Sequence, residues 1–323
     1  MGLSTIQGYN TISKKVKMRK KISTLIIILL ISSIYIGCKK DYKPLRLATY
    51  TYSTNNRIDN LKPFAKELEK RLNRPVQIKI YPDVTTFIEG IKSDEVDVGL
   101  INTLGYLLLS LDSKNMQPIA TLKVKKDAVD NYKTVLLTNK DSINDLNALM
   151  KNVDNLSMMF VAEGSTSGNL VPRLMLSSIG IKSPESQFKE VKYGGNHTST
   201  FTKLLEGKSD ICAIGSNEYF KQIKKDSTLL KSTRLIWISE EIPLGPVLVN
   251  NKFSKSDINE ISDLFLNLHE NSPFALQSIK EGWSEAKQAE KFHPIKDSYY
   301  NNFRAINDNN TDLPDILNFF VKK

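Results

Sequence analysis

The residues best placed to do chemistry sit in Val161-Ala-Glu-Gly-Ser-Thr-Ser-Gly-Asn-Leu-Val-Pro-Arg173. An apolar run, Met158–Val161, ends in Gly164-Ser-Thr-Ser-Gly168, and a helix is expected to follow. Small residues let backbone approach a ligand, and Ser165, Thr166 and Ser167 supply three hydroxyl donors. A helix start adds N–H groups without intrahelical partners and the positive end of a macrodipole. Together these suit an anion with several oxygens. The same residues would equally serve an ordinary capped loop, since Ser and Thr are favoured N-caps. Pro172 falls in the first helical turn, where proline is tolerated, and Arg173 after it is expected to face solvent.

Other chemistries find little footing. The sequence has no G-x-S-x-G elbow and no G-x-x-x-x-G-K-[ST] loop, so a hydrolase or a nucleotide P-loop is poorly supported. The three histidines, His197, His269 and His293, show no metal-ligand spacing, so neither a metal nor a cofactor is expected. The reading is a binding protein, not an enzyme.

The elements that must position this loop alternate. Strands are expected at Leu45–Tyr50, 76–80, Val96–Ile101, 133–138, Ser157–Val161, Phe188–Tyr193, Ile211–Ile214 and Arg234–Ile238. Helices fall between them, with Leu61–Leu72 and Val84–Ser93 the clearest, and Ser142-Ile-Asn-Asp145 reads as a helix-capping pattern. After Phe253 the chain reads as mainly helical. This order argues for an α/β fold with largely parallel sheets. One echo suggests two similar lobes. Asp97-Val-Gly-Leu-Ile-Asn-Thr-Leu-Gly-Tyr106 and Asp210-Ile-Cys-Ala-Ile-Gly-Ser-Asn-Glu-Tyr219 each place a tyrosine nine positions after an acid. Ligands bind α/β sheets at the strands' C-terminal ends, which are the ends these segments share.

The formal charge of +10 is unevenly placed: six basic residues and no acid lie in residues 1–37, leaving +4 on the rest. That balance gives no footing for nucleic-acid binding. The same leader carries a basic cluster, Lys14 to Lys21, and an apolar run, Leu25 to Ile36, before Gly37-Cys38. A small residue before Cys at the end of an apolar run resembles a bacterial lipobox, although Tyr35 stands where leucine is usual. Residues 1–37 are therefore expected to be a signal peptide, with Cys38 the lipidation site, residues 38–44 a tether and the remainder exported and held at a membrane. Met18, directly before the basic cluster, is an alternative start. Cys212, the second of two cysteines, is then left without a disulfide partner and reads as a buried strand residue.

From about Leu45 to Trp283 the chain resembles the phosphonate/phosphite/phosphate-binding proteins of ABC transporters, the PhnD type. Ser165-Thr-Ser-Gly-Asn-Leu-Val-Pro172, the helix Leu61–Leu72, Val96–Leu100, Gly195-Asn-His197 and Ile236–Pro246 carry the resemblance. It implies a type II periplasmic-binding-protein fold of two α/β lobes joined by two crossover segments, with a ligand cleft between. Lobe one would be 45–130 plus 246–323, lobe two 137–238, and the hinge crossovers 131–136 and 239–245. It implies capture of a small phosphorus oxyanion and delivery to a permease driven by an ATPase subunit. The site would take Ser165, Thr166, Ser167 and His197, with Tyr106, Tyr50 and Ser216 at the cleft. Tyr50, Thr51 and Tyr52 end the first strand, and the sequence does not say which points inward. Relatives often carry an acid where this chain has Gly215-Ser216, and its loss weighs against an aminoalkylphosphonate. Aromatic residues are common in relatives where this chain has Val84. A sensor subunit read by a receptor kinase, or a binding protein for another small oxyanion or organic solute, would look the same in sequence.

Overall fold

A computed structural model describes residues 43–52, 57–125 and 131–304, with Leu313, Ile316 and Leu317. The expected signal peptide and Cys38 lie outside the described residues. Phe319 lies outside them too, while Tyr299, Phe303, Leu313 and Ile316 are described.

Among the described residues, eleven strands form two sheets. In chain order they are β1 (Leu45–Tyr50), β2 (Val76–Tyr81), β3 (Val98–Leu100), β4 (Met116–Val124), β5 (Thr134–Thr138), β6 (Ser157–Phe160), β7 (Glu190–Tyr193), β8 (Ile211–Gly215), β9 (Arg234–Ile238), β10 (Pro246–Asn250) and β11 (Ala289–Pro294). The first sheet runs β11-β4-β10-β3-β1-β2 and the second β7-β6-β8-β5-β9. Read from the other edge, the first begins β2-β1-β3-β10-β4, which matches the second strand for strand, and adds β11 beyond β4. In each sheet three parallel strands meet a fourth that is antiparallel to both of its neighbours. That strand is the one entering from the other sheet: β5 after the first crossing, β10 after the return.

The sheets are therefore mixed rather than largely parallel, because each crossing delivers a strand running against its hosts. Two further corrections concern local elements. The helix Leu146–Lys151 is capped by Asp145, which accepts from Ala148 N at 2.7 Å, so Ser142 lies outside it. The chain after Phe253 is not only helical: β11 closes the first sheet, with Ala289 and Phe292 inward.

The echo between the lobes has a physical counterpart. Asp97 accepts from Arg46 N at 2.8 Å and Asp97 N donates to Arg46 O at 2.9 Å. Asp210 accepts from Ser157 N at 2.9 Å and Asp210 N donates to Ser157 O at 3.1 Å. Each acid thus ties the start of β3 or β8 to the start of β1 or β6. Burial opposes ionisation of both acids, yet their bonds to Arg46 and to Lys140 and Ser157 hold both below the usual carboxylate range. The core is apolar on both faces of each sheet, from helices such as Ile58–Leu72, which buries Leu61, Phe64, Ala65 and Leu68. Cys212 lies fully buried in β8.

The two crossings run side by side. Ile242 N donates to Tyr132 O at 2.8 Å, and Ser216 accepts from Lys133 N while donating to Asn131 O. Ser239 accepts from Thr134 N at 2.8 Å, fixing the start of β5 against the end of β9.

Candidate functional site

The loop after β6 is shaped by three small facts. Pro172 has no N–H, so the Gly168 carbonyl cannot receive its usual helical donor. Val161 N takes that carbonyl instead, at 2.9 Å, and draws the loop shut. A Cβ at Gly168 would fall 2.3 Å from Val161 Cγ2, so only glycine allows this approach. The result is one wide turn over Thr166–Leu170, with i→i+5 bonding, leading into the helix Val171–Ser178. Such turns recur at functional sites.

Behind the loop, Asn169 is fully buried and donates to Glu163 O at 2.8 Å. Its Oδ1 accepts from Arg173 Nε at 2.8 Å. Arg173 does not face solvent as expected. It is 4% exposed, lies over the Phe160 ring at 4.4 Å and donates to Glu185. The Asn169–Arg173 pair, one helical turn apart, bolts the loop to its helix.

Ser165, Thr166 and Ser167 are all buried, and each takes a different role. Ser165 Oγ accepts from Gly168 N at 3.0 Å. Thr166 Oγ1 accepts from Leu104 N at 3.1 Å, across from the first sheet. Ser167 Oγ has no hydrogen-bond partner among the described residues, while its carbonyl accepts from Thr134 Oγ1 at 2.7 Å. With their lone pairs engaged, the Ser165 and Thr166 hydroxyls keep their protons for another acceptor. The first sheet closes on this loop directly: Asn102 Nδ2 donates to Gly164 O at 2.8 Å, and Val84 lies so near Gly164 that a Cβ there would meet it at 2.4 Å.

His197 begins the helix His197–Leu205, capped by Asn196, which accepts from Ser199 N at 2.8 Å. Gly195, at φ +96°, makes the turn before it, and Gly195 N donates to Val161 O. His197 Nδ1 accepts from Gly215 N at 2.9 Å, which leaves the ring proton on Nε2. A Cβ at Gly215 would come within 3.4 Å of Ser167 Oγ and 3.5 Å of His197 Cε1, so these two side chains converge over Gly215.

Two tyrosines complete the cluster. Tyr52 lies with its ring 6.1 Å from His197, and its hydroxyl is buried without a partner among the described residues. Burial raises its pKa, with Ser165 beside it acting the other way. Burial likewise raises Tyr132 well above the ordinary value, with Ser167 opposing. Tyr132 comes from the first crossing, and nothing in its surroundings marks it in sequence. Tyr52, not Tyr50, is the member of the first-strand run that reaches the cluster. Tyr50 is buried beneath Arg57, at 4.9 Å, and stacks on Phe87. Tyr106 donates to Asp297 at 2.5 Å and packs on Tyr300. Ser216 is spent on the crossing at 131–133. The structure therefore brings together Ser165, Ser167, His197, Tyr52 and Tyr132, joins Thr166 to the opposite sheet, and uses Tyr50, Tyr106 and Ser216 as internal supports.

Of these, Tyr52 and His197 line an open cleft of about 750 Å³ together with Arg57, Lys203, Glu218 and Lys287 among others, while Ser165, Thr166 and Ser167 are buried. Among the described residues no group of three or more His, Cys, Asp or Glu is placed to hold a metal ion, and no helix is long and apolar enough to cross a membrane.

Burial pushes His197 down to about 4, partly offset by Glu218. Between roughly pH 6.5 and that value the unfolded chain binds a proton that the folded chain refuses. This contribution to stability is complete above the upper limit and fades as pH falls toward the lower. His197 ring resonances are accordingly expected to keep their neutral positions down to about pH 4. An NMR titration midpoint near 6.5 would contradict the assignment.

Residues 48–300 match the family model described as ABC transporter, phosphonate, periplasmic substrate-binding protein. The chain is 26% identical over 217 residues to a probable ABC transporter phosphite-binding protein, PhnD1, of Prochlorococcus marinus, covering 64% of this chain and 70% of that one. It is 30% identical over 219 residues to the phosphonates-binding periplasmic protein of Escherichia coli, covering 67% of this chain and 63% of the relative. The structure of PhnD1 from P. marinus in complex with methylphosphonate aligns with a TM-score of 0.64 at 22% identity, over 82% of this chain and 97% of that one. That likeness shows the fold, and with the repeated sheet order it is the two-lobed α/β architecture of type II periplasmic binding proteins.

Proposed function

Because the chain belongs to the family of periplasmic substrate-binding proteins of phosphonate ABC transporters, we propose that it captures a phosphorus oxyanion between its two sheets. The family consists of binding proteins, not enzymes. In this reading the ligand is a phosphonate, phosphite or phosphate. Ser165, Thr166 and Ser167 donate to its oxygens, the Nε2–H of His197 and the phenol of Tyr52 add two further donors, and Tyr50, Tyr106 and Ser216 support the walls. Residues 131–136 and 239–245 act as the hinge between lobes 45–130 plus 246–323 and 137–238. Lipid on Cys38 holds the protein at the membrane, beside the permease and ATPase to which it delivers its load.

The observation that carries the reading is two buried hydroxyls without partners among the described residues, those of Tyr52 and Ser167, each near the His197 ring, whose proton is on Nε2. A buried polar group without a partner is uncommon and costly. Hydrogen bonds to a charged acceptor contribute roughly 1.5–3 kcal/mol each, so three or four reach the −8 kcal/mol or so of micromolar capture. Gly215 leaves donors and no carboxylate at that point of the wall, which favours a fully deprotonated oxyanion.

A thermal-shift panel of phosphite, phosphate, methylphosphonate, aminoethylphosphonate, sulfate and nitrate tests it. A true ligand at a hundredfold excess over Kd stabilises by about 2.7 kcal/mol. At least one phosphorus oxyanion is expected to do so, ahead of sulfate and nitrate. Stabilisation by sulfate or nitrate alone would overturn the assignment.

A further inference from the structure

Arg57 precedes the helix Ile58–Leu72 and is only 3% exposed. Its Nε donates to Gly282 O at 2.8 Å and its Nη1 to Tyr50 O at 3.3 Å. Its guanidinium lies 4.3 Å from the Trp283 ring, 4.9 Å from Tyr50 and 5.7 Å from Tyr52. Among the described residues no carboxylate is within ion-pair distance of it. The same residue lines the cleft with His197 and Asn196. A buried cation without a counter-ion is unfavourable, and two carbonyls with three aromatic faces offset that only in part. Arginine stays charged in such surroundings, where lysine would readily lose its proton.

We propose that Arg57 is the specificity-determining cation of the cleft, acting on the bound anion across the Tyr52 ring and favouring its doubly charged over its singly charged form. The inference rests on the reading of the site as an oxyanion cleft. The other charges on the cleft are differently placed: Glu206, Lys208, Glu281 and Lys287 are exposed, so solvent and salt screen them, Glu218 pairs with Lys221, and Lys203 donates to Gly194 O. Glu285 acts on the same tyrosines with the opposite sign, less strongly than Arg57 at Tyr50 and more strongly at Tyr52, so the fixed charge of Arg57 is what offsets it there. Contact with the ligand falls to Tyr52, which lines the cleft beside Arg57.

Calorimetric titration with methylphosphonate, about one pH unit below and above its second ionisation, tests this in the wild type, Arg57→Met and Arg57→Lys. The wild type is expected to bind the dianion about tenfold or more tightly than the monoanion. Arg57→Met should reduce that preference to about threefold or less with the monoanion affinity little changed. Arg57→Lys should retain more of the preference than Arg57→Met. A residue that merely braces the wall would weaken both ligand forms alike, and that result in Arg57→Met overturns the inference. So does a wild type that binds without preference, whatever the variants do. A wild type that binds no phosphorus oxyanion overturns the oxyanion reading itself and this inference with it. His197, held near 4, does not titrate across the same window.

Discussion

Ser167→Ala is expected to lower affinity for the captured oxyanion roughly 10- to 100-fold while leaving thermal stability nearly unchanged. The two effects separate because Ser167 Oγ has no partner to lose within the described protein. Its backbone carbonyl keeps the bond from Thr134, so the turn does not depend on the hydroxyl. Removing an unpartnered buried hydroxyl also relieves a desolvation cost, which pushes stability slightly upward. Tyr106→Phe serves as the contrast: its hydroxyl is bound to Asp297, so that variant should lose some stability and keep its affinity. Titration calorimetry and thermal melts on the two variants decide the matter. Normal capture by Ser167→Ala would mean that the ligand does not touch the loop.

The second large effect is on stability. Arg173→Met is expected to destabilise the fold by about 3 kcal/mol, because one guanidinium holds Asn169, Glu185 and the Phe160 face together. Methionine fills much of the same space and can still lie on Phe160, so packing loss is small and the figure reports the lost bonds. Asn169 then loses its partner while fully buried, which is where most of the cost arises. Glu185 is half exposed and regains water, so Glu185→Gln should cost much less. Urea unfolding of both variants measures the difference. A loss under about 1 kcal/mol in Arg173→Met would show that the pair is ornamental.

Much of the scaffold was legible because strand and helix periods were clean. β1 and β9 fall at the residues expected, and Ser167 and His197, both singled out in the sequence, converge over Gly215. β4 escaped notice because Pro118 interrupts it and both of its faces are partly buried, which removes the alternation that marks a strand. β11 buries only Ala289 and Phe292 inside a charged run. Tyr50 and Tyr52 have the same parity, so alternation cannot choose between them; the strand's end does, by keeping Tyr50 in the ladder opposite Tyr81 and releasing Tyr52. Tyr132 and Arg57 come from a crossing and from the turn before a helix, where spacing carries no signal. Arg173 was misjudged because a charged residue after a helix-initial proline usually faces water. The legible clue was Asn169 four residues earlier, on the same face.

The intruding strands also set an order of assembly along the chain. β5 to β9 lie within one uninterrupted stretch, so the second sheet has all its members once the chain is free to fold as far as residue 238. The first sheet begins earlier and finishes later: β10 sits in its interior, between β3 and β4, and arrives only with residues 246–250. Until then β3 and β4 present raw edges to their surroundings. The half that comes first in the chain is thus the half that must wait, and a chaperone would matter most to residues 45–124.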